Sequence, residues 1–408
     1  MLRYWIWLAT RKYLSNDKKL AALEQFGSPK AIYSAKESEL EVLALKKREV
    51  DSLMDKSLYE SDGILRKCDD KGVHLLTWDD SAYPTRLKAI KNPPLVLYYD
   101  GRLPDFERSV AIGMVGTRKA SLYGVQHAKE LGYQIGKGGA IIVSGIAEGI
   151  DAASVEGALL SGAPVVCVLG NGIDVVYPKC NRRLYEEVRR NGCLITEFPP
   201  GTRPLPANFP FRNRIISGLS LGIVVVEAPK KSGALITAEQ ALEQGRDLYV
   251  VPANLGVASY KGNFKLLKEN AALVEDGTDV LVNYVGRYDV DLRHFPVNFS
   301  AAQPVQSEDT VREETSTRVD TKTVDRKISE NYIDISDILP KVSAEGAAVL
   351  KALCHGECHV DEIVETAGLP ASKVSSAITV LEIKKFVKRL PGQRFSLAEN
   401  IKVGERHE

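Results

Sequence analysis

The most constraining feature of this chain is a region in which short apolar runs, rich in β-branched residues, alternate with amphipathic stretches. Most of the runs are apolar throughout, as in parallel strands that are buried on both faces. The stretches between them have the apolar spacing of surface helices. This alternation predicts an α/β fold with a doubly wound, Rossmann-like parallel sheet. The predicted strands are 110–115, 140–144, 164–169, 193–198, 222–226 and 248–251.

Different textures flank this region. The N-terminal segment has apolar residues at helical spacing and a Gly27-Ser28-Pro29 break, which indicates a small helical domain of SAM-like or helix-hairpin-helix type. A polar, charged segment poor in aromatic residues predicts a flexible linker. The tail predicts three short helices and two strands around Pro391-Gly392, which together make a winged helix. The expected organisation is a helical domain over 1–75, a Rossmann-like core over 76–290, a linker over 296–342 and a winged helix over 343–400.

Composition limits the location and the metal chemistry. The formal net charge of the 408 residues is +1, so a nucleic-acid site has to come from local clustering of charge. No apolar run approaches the roughly 18 residues of a membrane span, and the six scattered cysteines fit a reducing cytoplasm. Half of a metal site could be formed by Cys354, His355, Cys358 and His359, but a structural zinc needs four ligands and no second pair lies nearby. We expect no metal and no cofactor.

In a doubly wound sheet, ligands bind beyond the carboxyl ends of the strands. The first of these ends is followed by Gly116-Thr117-Arg118-Lys119 and a helix that begins near Ser121. Arg118 and the helix N–H groups suit a phosphate, although an ordinary turn with a solvated arginine is the alternative. The second end carries Ser144, Gly145 and Gly149, which permit close approach of a ligand or serve a structural turn.

Two further segments should reach the same edge. Ser232-Gly233 opens a helix beside Lys230 and Lys231, which makes another anion site. In the segment 208–216, arginines could take phosphates and Phe209 could stack a base, or the phenylalanines could be core and the arginines salt-bridged. Several anion sites in a row suit a polymer of phosphates. The predicted single-stranded DNA contacts are Gly116, Thr117, Arg118, Lys119, Ser144, Gly145, Phe209, Arg212, Asn213, Arg214, Lys231, Ser232 and Gly233.

Catalytic motifs are missing from the sequence. No Gly-x-Gly-x-x-Gly follows the first strand, and no Gly-x-x-x-x-Gly-Lys-Ser/Thr loop occurs, which disfavours NAD binding and ATP hydrolysis. The predicted Rossmann strands and helices contain one histidine, His127, within a helix. Hydrolysis would have to rely on carboxylates, and the candidates are Glu148, Asp151, Glu227 and Glu239. We therefore expect a binding protein without catalytic residues.

The ordered motifs resemble the DNA-processing protein A (DprA/Smf) family. They are VGTRK (115–119), SGIAEGID (144–151), DVVYP (174–178) with Asn181, TEFPPG (196–201), FPFRNRIISGLS (209–220) and SGALITAEQALEQGR (232–246). The resemblance implies an extended Rossmann fold, a homodimer, single-stranded DNA binding and loading of RecA in natural transformation or recombination. It assigns phosphate binding to Arg118 and an aromatic and basic contact to 209–214. Two departures are Glu148, where a basic residue is expected, and Phe264, where the family has asparagine.

Two other functions compete with this one. A lysine-decarboxylase-like nucleotide phosphoribohydrolase carries Pro-Gly-Gly-x-Gly-Thr-x-x-Glu at this sheet position, whereas 229–239 keeps one glycine of that motif, Gly233. A ligand-sensing regulator would read duplex DNA through the winged helix, and its recognition helix should be basic. The segment 374–383 has basic residues beside it rather than within it, so the tail could equally be a partner-docking module.

Overall fold

The structure of the chain is a computed structural model that describes residues 1–292, 333–335, 342–354, 356–384, 386–390, 394–398 and 401–402. The chain divides into two compact units, Met1–Gln306 and Ser307–Glu408. The predicted linker lies almost entirely outside the described residues, as do His355 and Pro391-Gly392. The domain boundaries given above therefore stay predictions.

The first unit opens with a group of short helices. The break predicted at Gly27-Ser28-Pro29 is confirmed: Gly27 ends one helix in the left-handed conformation, and the Ser28 side chain accepts a hydrogen bond from the Ala31 backbone N–H at the start of the next. The aromatic and aliphatic side chains of the first helix pack into a core shared with the sheet. The helices are α1 (Leu2–Thr10), α2 (Asn16–Phe26), α3 (Pro29–Ser34), α4 (Glu37–Leu40), α5 (Lys47–Met54) and α6 (Tyr59–Lys71).

A nine-stranded sheet follows, with the order β1-β2-β6-β5-β4-β3-β7-β8-β9. The strands from β6 to β9 in this order run parallel, which confirms the predicted doubly wound fold. β1 and β2 add an antiparallel edge that the sequence analysis did not predict. The strands are β1 (His74–Thr77), β2 (Val96–Gly101), β3 (Ala111–Val115), β4 (Ile141–Ser144), β5 (Val165–Val168), β6 (Cys193–Thr196), β7 (Gly222–Val225), β8 (Asp247–Val250) and β9 (Ala272–Leu273).

Helices cover both faces of this sheet. Residues alternate between the two cores along each strand: Ile112 and Met114 of β3 join one, and Ala111 and Val115 join the other. The chain order reverses between β3 and β7, and this switch point is where such folds open a crevice for ligands. The helices are α7 (Thr85–Lys88), α8 (Leu122–Lys137), α9 (Ile150–Ser161), α10 (Arg182–Asn191), α11 (Asn208–Leu219), α12 (Gly233–Glu243), α13 (Lys261–Lys268) and α14 (Gly277–Leu281).

The second unit is a small winged helix, as predicted. Three helices and a three-stranded sheet in the order β11-β13-β12 enclose their own core. Its elements are β10 (Ile333–Asp334), α15 (Ala344–Leu353), β11 (Cys358–His359), α16 (Val360–Ala367), α17 (Ala371–Ile383), β12 (Val387–Leu390), β13 (Arg394–Leu397) and β14 (Ile401–Lys402). In the described parts of both units, no helix has the length and apolarity needed to cross a membrane.

Candidate nucleic-acid interface

A cavity of about 580 Å³ lies beyond the carboxyl ends of β3 and β7. Its floor is tied together by the backbone, because Val226 N donates to Val115 O at 3.1 Å and Thr117 N donates to Glu227 O at 2.8 Å. The loop after β3 therefore continues the sheet pairing for two residues past the strand. This arrangement fixes the position of the backbone before Arg118. The cavity and the residues that line it are hereafter called the cleft.

The loop after β4 supports the same backbone from the other side. Gly149 has a φ of 77°, and a Cβ there would lie 2.5 Å from Thr117 O and 2.7 Å from Arg118 O. Only glycine permits this approach. Ile150 N, at the start of α9, donates to Thr117 O at 3.3 Å. Gly149 was predicted to permit close approach of a ligand. In the structure it permits close approach of the loop after β4 to the loop after β3.

Two walls of the cleft carry exposed positive charge. Arg118 and Lys119 are exposed on the first wall. On the second wall, exposed Lys231 precedes Ser232, whose hydroxyl accepts from Ala234 N at 3.2 Å as the cap of α12. The first-turn N–H groups of α12 add the partial positive charge of a helix N-terminus. The cleft can therefore hold anions from two sides.

An aromatic pair lies beneath Arg118. The guanidinium carbon of Arg118 lies 5.1 Å from the centroid of the Phe209 ring, within the range of a cation–π contact. The Phe209 and Tyr177 rings are 5.4 Å apart at an interplanar angle of 41°. Both aromatic residues line the cleft. The alternative in which Phe209 is wholly core does not hold, since its side chain is half-buried.

The arginines of α11 do not form the predicted exposed track. Arg214 is 6% exposed, and its two terminal nitrogens donate to Glu197 Oε1 and Oε2 at 2.9 and 2.6 Å. The prediction that Arg214 extends the track is wrong, because a bidentate ion pair holds its guanidinium below the surface. Arg212 lines the cleft floor but is 3% exposed, and it donates to Val168 O.

Asp151 lies beside Arg212 on the floor. Burial raises the pKa of the Asp151 carboxyl, while the charge of Arg212 and backbone hydrogen bonds from Ala147 and Gly145 lower it. Burial also lowers the pKa of Arg212. The two charges offset each other electrostatically, so the net positive potential of the cleft comes from the exposed cations above them.

Ser144 and Gly145 are buried and do not line the cleft. The Ser144 hydroxyl donates to Met114 O at 2.7 Å, which ties β4 to β3. The backbone of Gly145 turns inward to the carboxylate of Asp151. The prediction that these two residues contact a ligand is therefore wrong, because their polar groups are satisfied inside the protein.

The N-terminus of α8 is also occupied from within. Ser121 N and Ser121 Oγ both donate to Glu227 Oε2, at 2.9 and 2.8 Å. The helix does begin where it was predicted, with Ser121 as its cap. However, a fully buried carboxylate already satisfies the anion preference of this helix end. The expectation that α8 assists Arg118 in binding phosphate is corrected accordingly.

The cleft thus brings together most, but not all, of the predicted contacts. Those that line it are Gly116, Thr117, Arg118, Lys119, Phe209, Arg212, Asn213, Lys231, Ser232 and Gly233. Tyr177 lines it too and was not predicted, although it belongs to the DVVYP motif that follows β5. Glu148, one of the two departures, is exposed, and its Oε1 lies 3.5 Å from Cys180 Sγ.

No metal site accompanies the cleft in the described residues. No three His, Cys, Asp or Glu side chains are grouped closely enough there to hold a metal ion. Beside Phe264, the second departure, Asn263 is 1% exposed and its Oδ1 accepts from Ala228 N at 2.8 Å. Asn263 therefore fastens this loop to the end of β7.

Comparison with known proteins gave consistent matches. The family model for DNA recombination-mediator protein A matches residues 74–285, and the model for the DprA winged helix domain matches residues 337–393. Protein Smf of Synechocystis sp. is 33% identical over 338 residues, 81% of this chain and 82% of that protein. DNA processing protein DprA of Streptococcus pneumoniae is 39% identical over 205 residues, 50% of this chain and 72% of that protein.

One solved structure is similar over a comparable range. The X-ray structure of DNA processing protein A (DprA) from Streptococcus pneumoniae matches with a TM-score of 0.62 and 31% sequence identity. The match covers 69% of this chain and 98% of that chain. The first family model spans the sheet and all the loops that form the cleft, and the second spans most of the tail.

Proposed function

This chain belongs to the DNA recombination-mediator protein A (DprA/Smf) family, and from this premise we propose that it binds single-stranded DNA in the cleft. Family membership gives it a DNA-processing role in recombination. The proposal adds the bound species and the place of binding. We further propose that the chain is a binding protein rather than an enzyme.

One observation carries the DNA proposal: exposed cations face the same cleft from two walls. Arg118 and Lys119 stand on the first wall, and Lys231 and the N-terminus of α12 stand on the second. A mononucleotide needs one or two anion sites, whereas a chain of phosphates uses several. Aromatic rings beside these cations add faces for bases, the combination that suits single strands without sequence preference.

The carboxylates argue against a phosphoribohydrolase. Asp151 is the one carboxylic acid among the residues that line the cleft in the described part of the chain, and it is buried on Arg212. Glu227 is buried at the N-terminus of α8, and Glu239 lies 3.9 Å from Lys265 at the surface, outside the cleft. Glu148 does not line the cleft either. In the described residues no exposed carboxylate therefore lines the cleft, which favours binding without hydrolysis.

The remaining parts of the proposal follow from the family. We propose that the bound strand is protected and that RecA is loaded onto it, in natural transformation or recombination. We also propose that the protein acts as a homodimer in a bacterial cytoplasm. The support for these steps is the match of both family models and of the relatives named above.

The test is the salt dependence of binding to a short oligonucleotide in wild type and in Arg118→Ala. Each phosphate neutralised on a single strand contributes about −0.7 to the slope of log K against log salt. Arg118→Ala should weaken binding to all sequences and flatten the slope by about one contact. The control is Arg108→Ala, which removes another exposed charge from the loop before β3, at the other end of the strands.

Two results would count against the proposal. A wild-type protein that prefers duplex DNA, or binds no DNA at low salt, contradicts single-strand binding. A folded Arg118→Ala protein with unchanged affinity and slope removes the cleft from the proposal, because its first wall depends on that side chain. An equal effect of Arg108→Ala would show that net charge, rather than the cleft, sets the slope.

A further inference from the structure

We infer that Tyr177 presents the aromatic face on which a DNA base stacks, and that Phe209 is the positioning residue that holds Arg118 and Tyr177 in place. The inference rests on the proposed function and assigns roles within the same cleft. It revises the prediction that Phe209 itself stacks a base. The contacts of the two rings carry the argument.

The Phe209 ring is already engaged by protein groups. The Arg118 guanidinium lies over it, and the Tyr177 ring packs against it. The ring also rests on the backbone of Gly170, where an added Cβ would come within 2.8 Å of Phe209 Cδ1. Asn208 Nδ2 donates to Gly170 O at 3.0 Å, which fixes the start of α11 against this glycine. A base would have to displace Arg118 to share its place on the ring.

The Tyr177 ring is differently placed. It is 37% exposed and lines the cleft. Its backbone is held from below by the buried Tyr185, whose hydroxyl donates to Tyr177 O at 2.7 Å and accepts from Tyr177 N at 3.4 Å. A rigid ring with an exposed part can take a base at low conformational cost. Tyr177 thus has both the access and the support that a stacking platform needs.

The surroundings of Tyr177 suit a nucleotide. Because Tyr177 and Arg118 each contact the Phe209 ring, a phosphate on Arg118 lies close to a base on Tyr177. Lys179 and Arg182 follow Tyr177 in the chain and are exposed. They extend positive charge beyond the platform in place of the α11 arginines, which are buried. The strand is therefore expected to leave the cleft past Tyr177.

The experiment compares a thymidine oligomer with an abasic oligomer of equal length and charge, by fluorescence anisotropy with the full chain. Tyr177→Ala should weaken binding of the thymidine oligomer by about 5- to 160-fold, the range for a lost stacking contact. It should thereby remove the preference for thymidine over the abasic strand. Tyr177→Phe keeps the ring and should keep the preference. Tyr59→Ala, at an 82% exposed tyrosine of α6, is the matched control and should change neither affinity.

Phe209→Ala should act differently from Tyr177→Ala. It should weaken both oligomers and flatten the salt slope as Arg118→Ala does, because Arg118 loses its support. Combining it with Arg118→Ala should add little further loss. Phe209→Leu fills the same space without an aromatic face, and it keeps the test available if Phe209→Ala unfolds.

Three results separate the possibilities. If Phe209→Leu removes the thymidine preference and Tyr177→Ala keeps it, Phe209 is the platform and the inference is overturned. If Tyr177→Ala leaves the preference for thymidine intact, the inference is likewise overturned, whatever the result for the Phe209 variants. If the wild type binds neither oligomer, the proposed function itself fails and takes this inference with it, an outcome distinct from the other two.

Discussion

The basic side chains of this protein differ in exposure and in the groups that they contact. Arg118 ends in solvent above an aromatic ring, whereas Arg214 ends in a bidentate ion pair with Glu197. Lys19 is also buried: it is 4% exposed, and its Nζ donates to Ala9 O at 2.6 Å. Burial lowers the pKa of Lys19 to about 8, with the charge of Arg11 acting in the same direction and that of Glu197 opposing it.

This lowered pKa predicts an alkaline gain in stability. Between about pH 8 and pH 10.5, the unfolded chain keeps the Lys19 proton and the folded chain does not, so the free energy of unfolding rises with pH in this window. Relative to Lys19→Met, the wild type should gain up to about 3 kcal/mol across it. Urea denaturation of both proteins at several pH values measures the difference.

The control for this comparison is Lys12→Met, at an exposed lysine that follows α1. Its difference from the wild type should stay flat over the same pH range. A Lys19→Met difference that is equally flat, or that falls as the pH rises, would show that the folded chain does not hold Lys19 with a lowered pKa.

Sequence reasoning at this scale identified the right residue types but not their exposure. The segment FPFRNR offered two arginines, and either a ligand or a salt bridge would account for such a pattern. The choice depends on Glu197, which belongs to a different motif and meets Arg214 only after folding. Tyr177 was missed for the same reason, since its place in the cleft depends on Phe209 and Tyr185.

Among the elements, α8 has a start that depends on a residue distant in the sequence. The Glu227 carboxylate, fully buried, accepts from both Ser121 N and Ser121 Oγ. Glu227→Ala should lower the free energy of unfolding by about 2–4 kcal/mol, since it leaves these two donors and the Tyr260 hydroxyl without their charged acceptor. Glu227→Gln keeps an acceptor oxygen and should cost less. Chemical denaturation measures both losses.

The same variants test whether Glu227 takes part in binding. Folded Glu227→Gln should keep the wild-type salt slope with single-stranded DNA, because Glu227 does not line the cleft. The exposed carboxylate Glu239 provides the control, and Glu239→Gln should change stability by less than about 0.5 kcal/mol. If Glu227→Ala left the free energy of unfolding unchanged, water would satisfy the donors at the start of α8 as well as the carboxylate does.

The elements that could be predicted are those with a strong local signal. The strands from β3 to β8 are continuous apolar runs and were predicted within one or two residues. β1 reads His-Leu-Leu-Thr with mixed exposure, and β2 ends in half-buried Tyr99, Asp100 and Gly101. Neither is buried along its whole length, and their pairing with each other and with β6 is a tertiary event.

For the whole molecule, all residues of the cleft belong to the first unit. A chain that ends at Gln306 should therefore bind single-stranded DNA with a Kd within about threefold of the full chain, or about 0.7 kcal/mol. The helix in the recognition position, α17, contains a single lysine, which gives it little attraction for phosphates. Anisotropy titrations of both chains at one salt concentration measure this.

Arg118→Ala placed in the shortened chain is the control, and it should lower affinity as much as in the full chain. If removal of the second unit abolishes binding while the first unit stays folded, the winged helix is the DNA module. The cleft would then need another ligand.

The two walls of the cleft respond differently to sequence change over evolutionary time. The first wall draws its charge from side chains, so one codon change at Arg118 removes one of its two cations. The second wall draws part of its charge from the peptide N–H groups at the start of α12, which persist through most side-chain substitutions. We therefore expect residue 231 to vary among relatives more than residue 118 does. Under the proposed function, the second wall therefore keeps part of its attraction for phosphates through substitutions that would remove that of the first wall.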